Sequence, residues 1–515
     1  MKANTTIFVY FFLFSSLTLL CQNGIVVEGM IKDAEEDFAI LAYSSRLRGN
    51  LNFDKFRSVG SRVNERGEFK LTAPKITHAA TYRLFFPEHY VRLNLFAGDS
   101  IYLEIYLEDS PNTFATGKGA GKVNVLNLPQ FQYDYADLEK ERGLKGFVNY
   151  VDSVVEYRLG LLEEIYSRNA EGILITKAEN RDYLKRIIQY SPLSKEEFDF
   201  LKNIARFSRF TLIGIFFESK GSQTNLHFGG MDVSGSVFSD FNENLYSSLE
   251  DINELYLHGD LDWLLRLAYL REKEEEEGLT ITFGNWRNVL QDSGYTEWCA
   301  EFLKQNFKEE VYYKYFAEDA LGYMTWGHDI PELFTYLDFE QDNKYISRIK
   351  GFRKLLENGL NDPEYGLDDE SKQLNESKFK ALVGKYEGKS HLITFWSAQA
   401  AGTSVIDELP YLRAFEQESQ DKLEMLYICV DKIENKKLWA ARIIDESWVG
   451  EHYFLPREGN EAAIAPYSKK DISSLCNGGA AYSFVDKKGE IEKDTKGPFY
   501  MDQKEMERFF ELYLN

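Results

Sequence analysis

Apolar and polar residues alternate with a period of two from Ile25 to about Ala115, in "IVVEGMI", "FAILAYS", "ATYRLFF", "YVRLNLF" and "SIYLEIYLE". That period puts successive side chains on opposite faces of a pleated strand, so each stretch is expected to be a strand. The punctuation agrees, because "NERGEF" at Asn64 to Phe69 and "AGDS" at Ala97 to Ser100 supply the glycine and short polar residues of tight hairpins. A small antiparallel β-sandwich over residues 24–115 is the expected result.

From about Leu128 the period becomes helical, with Phe147, Val151, Val154, Leu161 and Ile165 along one stripe. "SKEEFDFLKNIARF" opens with a capping box at Ser194 and Glu197, and residues 116–375 are expected to be mostly α. Within them "HGDLDW" at His258 to Trp263 reads as a turn. The acidic run "EKEEEEG" at Glu272 to Gly278 reads as a solvated helix end, since calcium loops place a glycine among spaced carboxylates. Residues 376–515 alternate between the two periods. They run "HLITFW", a helix from Ser404, "LEMLYICVD", a helix around Leu438 to Ile444, "HYFLP", "AAYSFVDKKGEI" and a terminal helix "QKEMERFFELYLN". A β-α-β order followed by a β-hairpin and a helix is an α/β arrangement of the thioredoxin type. The expected fold class is therefore a multidomain α+β chain: β-sandwich, central helical region, C-terminal thioredoxin-like domain.

Composition narrows the setting. The chain has 515 residues, of which 44% are hydrophobic, enough apolar material for several cores. A formal charge of -23 argues against nucleic-acid binding, because phosphates would be repelled. Residues 1–21 have the form of a signal peptide: Lys2 precedes the acid-free run "IFVYFFLFSSLTLL" from Ile7 to Leu20. That run is shorter than the roughly 20 residues a membrane-spanning helix needs. Export follows as the expectation, to the periplasm or to a membrane-anchored place in the bacterial cell envelope. "LTLLC" loosely resembles a lipobox, with Leu20 where a small residue is usual, so a lipid anchor at Cys21 stands beside ordinary cleavage nearby.

Cys299, Cys429 and Cys476 remain after Cys21, an odd set that makes no disulfide framework. Cys299 and Cys429 are expected to be small core residues. "ATGKGAGKVN" fails as a phosphate loop because Lys122 is followed by Val123 and no glycine has the required spacing, and it reads as a linker. The histidines at 78, 89, 227, 258, 328, 391 and 452 are scattered without ligand spacing, so neither a metal nor another cofactor is expected.

"FWSA" at Phe395 to Ala398, "ELP" at Glu408 to Pro410, "LWAARIIDESWVGEHYFL" from Leu438 and "YSFVDKKGEI" at Tyr482 to Ile491 together resemble exported thioredoxin-like proteins of the TlpA/ResA kind. The layout resembles the long form common among Bacteroidetes, in which a β-rich domain and a helical region precede the thioredoxin domain; "GKGAGKVN" resembles that form's junction. The resemblance implies thiol-disulfide exchange, which needs an attacking thiolate and a second, resolving cysteine. Here the two cysteine positions fall on Ala400 and Thr403, and the cis-proline position falls on Ala480. The expected function is accordingly non-catalytic binding of an unknown protein or peptide partner. The vestigial loop Ala400, Ala401, Gly402, Thr403 and Ser404, with Ala480, is the candidate surface. Ser404 and Asp407 can cap the helix that follows, or its amides can hold an extended peptide or an anion. The alternative is an oxidoreductase or monothiol relay using Cys476 in "SSLCNGG"; binding of a nutrient or glycan by the aromatic-rich middle region also stays open.

Overall fold

The computed structural model describes residues 24–32, 38–43, 58–73, 80–86, 90–106, 113–131, 143–223, 258–279, 285–291, 294–325, 327, 331–341, 343–368, 370–385, 388–399, 404–418, 423–448, 450–460, 464–468, 480–495, 497 and 499. The chain is a mixture of α and β and divides into two compact units. The first is drawn from 1–77, 81–93 and 317–515, and the second from 78–80 and 94–316.

In the first unit, β1 (Ile25–Lys32) alternates buried and half-buried residues and pairs antiparallel with β4 (Glu68–Ala73). Strand β3 (Ser58–Arg62) enters β4 through the expected turn: Asn64 Oδ1 accepts from the Arg66 and Glu68 amides, and Gly67 takes a φ of 77°. β2 (Phe38–Tyr43) pairs antiparallel with β3 and with β5 (Ala80–Phe85), and β6 (Tyr90–Leu95) completes the order β3-β2-β5-β6. β2 departs from the expected alternation, because Phe38 through Ala42 are all buried. Both of its faces are covered, which is why "FAILAY" is apolar throughout.

The second unit begins with β7 (Ser100–Tyr106) paired antiparallel with β8 (Phe114–Lys118). "GKGAGKVN" is no linker. It ends β8 and forms α1 (Ala120–Leu126), whose residues 120–125 are all buried. Helices α2 (Gly143–Tyr166), α3 (Ile173–Lys177), α4 (Arg181–Tyr190) and α5 (Lys195–Gln223) follow. They pack Leu161, Ile165, Leu184, Ile187, Phe200 and Leu201 into one core. The capping box is present: the Ser194 amide donates to Glu197 and the Glu197 amide to Ser194 Oγ. α6 (His258–Glu277) starts at "HGDLDW", so that stretch is helix where a turn was expected, and the helix ends in the exposed acidic run. α7 (Trp286–Leu290), α8 (Tyr295–Asn306) and α9 (Glu309–Thr325) complete the helical run, α9 belonging to the first unit from residue 317 onward.

In the C-terminal part of the first unit, α10 (Pro331–Phe334), α11 (Lys344–Asn358) and α12 (Glu376–Lys385) precede β9 (Ser390–Trp396). α13 (Ser404–Glu418), β10 (Leu423–Asp431), α14 (Lys436–Asp445) and β11 (Glu451–Pro456) come next, then a hairpin of β12 (Ala481–Val485) and β13 (Ile491–Thr495). The sheet order is β11-β10-β9-β12-β13, with β9, β10 and β11 parallel and β12 antiparallel to both β9 and β13. The parallel strands read as near-continuous apolar runs because both faces are covered. The outer edge of β11 is closed by residues 372–374, through Leu374 and Phe454 amides at 2.8 Å each. On one face, α11 is pinned to α14 by a buried two-bond pair from Arg348 to Asp445, at 2.8 and 2.5 Å, and Arg442 donates to the Thr325 carbonyl at the end of α9.

Candidate functional site

The site expected from sequence is the junction of β9 with α13. Every residue of β9 is buried, so the strand is a fixed rail that ends at Trp396 and delivers Ser397, Ala398 and Gln399 to the sheet's C-terminal edge. The turn is then held by one carboxylate. Asp431, at the end of the neighbouring β10 and 1% exposed, accepts from Ser397 Oγ at 2.8 Å and from the Gln399 amide at 3.0 Å. It also accepts from the Lys432 amide at 2.8 Å and from Asn435 Nδ2 at 2.7 Å. Four donors leave this buried carboxylate fully solvated by protein, which is the condition for a charge to sit inside.

α13 lies beyond. It carries Pro410 in its interior, a residue that cannot donate to the helix ladder. Glu408, 1% exposed, accepts from the Tyr482 hydroxyl at 2.7 Å and so ties α13 to β12. The helix is covered on its far side by the N-terminal sheet: Tyr411 meets Phe38 of β2 edge to face at 5.0 Å. A Cβ added to Gly60 of β3 would lie 2.7 Å from Pro410 Cβ. Under α13, Trp396, Tyr427, Trp448 and His452 stack together with centroids 4.8 to 5.1 Å apart. His452 bonds the Trp448 carbonyl through Nε2, while its Nδ1 is buried without a partner. Desolvation pushes the pKa of His452 down to about 3, so the ring is neutral.

Of the residues singled out in the sequence, Ala400, Ala401, Gly402, Thr403 and Cys476 lie outside the described residues, as do Cys21 and the terminal helix. Ser404 is the first residue of α13. Ala480 is buried and immediately precedes Ala481, which pairs with Phe395, so the register brings it to the same end of β9 as Gln399. Cys299 and Cys429 are core residues, 2% and 0% exposed. Among the described residues no group of acidic, histidine or cysteine side chains could hold a metal, and no helix is long and apolar enough to cross a membrane. Asp431 and Asn435 were not anticipated. Their only signal is an acid closing a buried strand in "LYICVDKIEN", which is also how many ordinary strands end.

No family model matches the chain, and no curated protein matches it. Among solved structures, a candidate thiol-disulfide oxidoreductase from Bacteroides vulgatus, determined in solution, is similar over 25% of this chain and 77% of that chain. The identity is 21% and the TM-score 0.20.

Proposed function

We propose that the chain is an exported, cell-envelope protein of the thioredoxin-like TlpA/ResA kind that binds a protein or peptide partner without redox chemistry. The observation that carries this reading is the β9–α13 junction. The sequence there runs from a strand ending in "FWSA" to a helix with "ELP" and carries no cysteine at Ala400 or Thr403, while Ala480, where the resemblance calls for proline, precedes the residue that pairs with Phe395 of β9. The mixed sheet, with three parallel strands and an antiparallel hairpin in the order β11-β10-β9-β12-β13, supports the thioredoxin part of the reading. The N-terminal strands support the β-sandwich part: Phe69 of β4 meets Phe86, just past β5, at 6.0 Å, as facing sheets would. Alanine and threonine supply neither a thiolate nor a resolving thiol, so what such a junction retains is surface.

Insulin reduction with dithiothreitol tests this. The mature protein is expected to be silent and a variant carrying Ala400→Cys and Thr403→Cys to turn over. Activity in the mature protein that disappears in Cys476→Ser would instead establish the thiol-relay reading.

A further inference from the structure

The hydrogen bonds around Asp431 fix more than the loop's position. A carboxylate only accepts, so Asn435, whose Nδ2 lies 2.7 Å from Asp431 Oδ1, must turn its amino group inward and its carbonyl oxygen away. The same Nδ2 donates to Gln399 Oε1 at 3.3 Å, so Gln399 in turn points its carbonyl at Asn435 and its amino group away. One buried charge thereby sets the orientation of two amides in series. Their outer ends are a donor, Gln399 Nε2, and an acceptor, Asn435 Oδ1.

Two further features make this pair available to a ligand. Gln399 is partly exposed, and Ile433, two residues before Asn435 on the same short 3-10 turn, is 43% exposed. Asn435 is 9% exposed and Gly327, with a φ of 73°, lies against its Oδ1, where a Cβ would stand 3.0 Å away, so glycine leaves that oxygen the room a side chain would take. One outward donor, one outward acceptor and an apolar side chain next to them complement one residue of an extended chain, whose backbone C=O and N–H point to the same side.

We infer that Gln399 and Asn435, oriented by Asp431, form a recognition site for the backbone C=O and N–H of one residue of an extended polypeptide. The ligand's carbonyl accepts from Gln399 Nε2, its N–H donates to Asn435 Oδ1, and an apolar side chain lies on Ile433. This rests on the binding function proposed above and names its ligand chemistry. Asp431 is a positioning residue here, because it acts only through the two amides.

The test uses the full mature chain and, as probe, fluorescently labelled reduced and carboxymethylated α-lactalbumin, an unfolded polypeptide with no thiol, followed by anisotropy. Gln399→Glu keeps the oxygen that accepts from Asn435 but removes the outward donor; Gln399→Met removes the donor without adding charge. Each is expected to weaken binding about five- to tenfold, the effect of one hydrogen bond, with an unchanged melting temperature. Wild-type affinity in both variants overturns the inference and leaves the binding function standing. A wild-type protein that does not bind the probe overturns the binding function and the inference with it. If both variants melt early, Gln399 is a structural strut and the inference is wrong.

Discussion

Single charged residues placed far from water decide much of this molecule. Lys122 is wholly buried, with Nζ 2.5 Å from Asp99 Oδ2, 3.1 Å from the Gly119 carbonyl and 4.1 Å above the Phe96 ring. Its backbone amide donates to Glu197, the same carboxylate that caps α5, so one acid serves two helix starts. Burial pushes the Asp99 carboxyl above its ordinary range despite the adjacent ammonium, which shows how strongly the pair depends on its partner. Lys122→Met, which leaves the carboxylates unmatched, is expected to lower stability by about 3–5 kcal/mol in urea unfolding. Adding Asp99→Leu should recover part of that loss. His452 gives a pH signature. Its folded pKa, about 3, lies below the roughly 6.5 of an unfolded histidine, so the unfolded state binds the extra proton. Stability should therefore be intact above about pH 6.5 and fall by up to about 1.4 kcal/mol per unit as the pH drops toward 3. His391, also lowered by burial, acts in the same direction. Thermal melts across that range should show a shallower slope in His452→Gln. Of these roles only the Glu197 cap was legible in the sequence, because Lys122 and Glu197 are 75 residues apart and only the fold brings them together.

At the scale of elements, what could be read locally was read well. The strand-helix order from Ser390 to Thr495 and the turn at Asn64 depend on periodicity and turn chemistry, and both are in place. The departures have a common cause. "FAILAY", "GKGAGKVN" and "HGDLDW" are each governed by a partner distant in the chain, which no local pattern encodes. β2 is the clearest case, since α13 supplies the cover for a face that a free-standing sheet would show to water. Gly60 is the point of closest approach, with Phe38 and Pro410 occupying the space a side chain would need. Gly60→Leu should force α13 away from β3 and cost about 1–3 kcal/mol, measured as a lower melting temperature. An unchanged melt would mean that the helix and the sheet are only loosely apposed.

On the scale of the whole molecule, the first unit is assembled from both ends of the chain, with residues 94–316 between them. The C-terminal α/β part is therefore not self-sufficient: α13 leans on β2 and β3, and α14 leans on α11 through Arg348 and on the end of α9 through Arg442. A fragment comprising residues 376–515 alone should bind a hydrophobic dye and melt well below the intact chain, and a fragment as stable as the whole would contradict this dependence. The arrangement also dictates an order of events. The first strands emerge early in synthesis, yet the surface that finishes β2 is made only after residue 404 has followed. Contacts of such high sequence separation fold slowly, and the unfinished sheet keeps an apolar face open in the meantime. A stop or frameshift late in the gene would thus be felt first by the strands translated first.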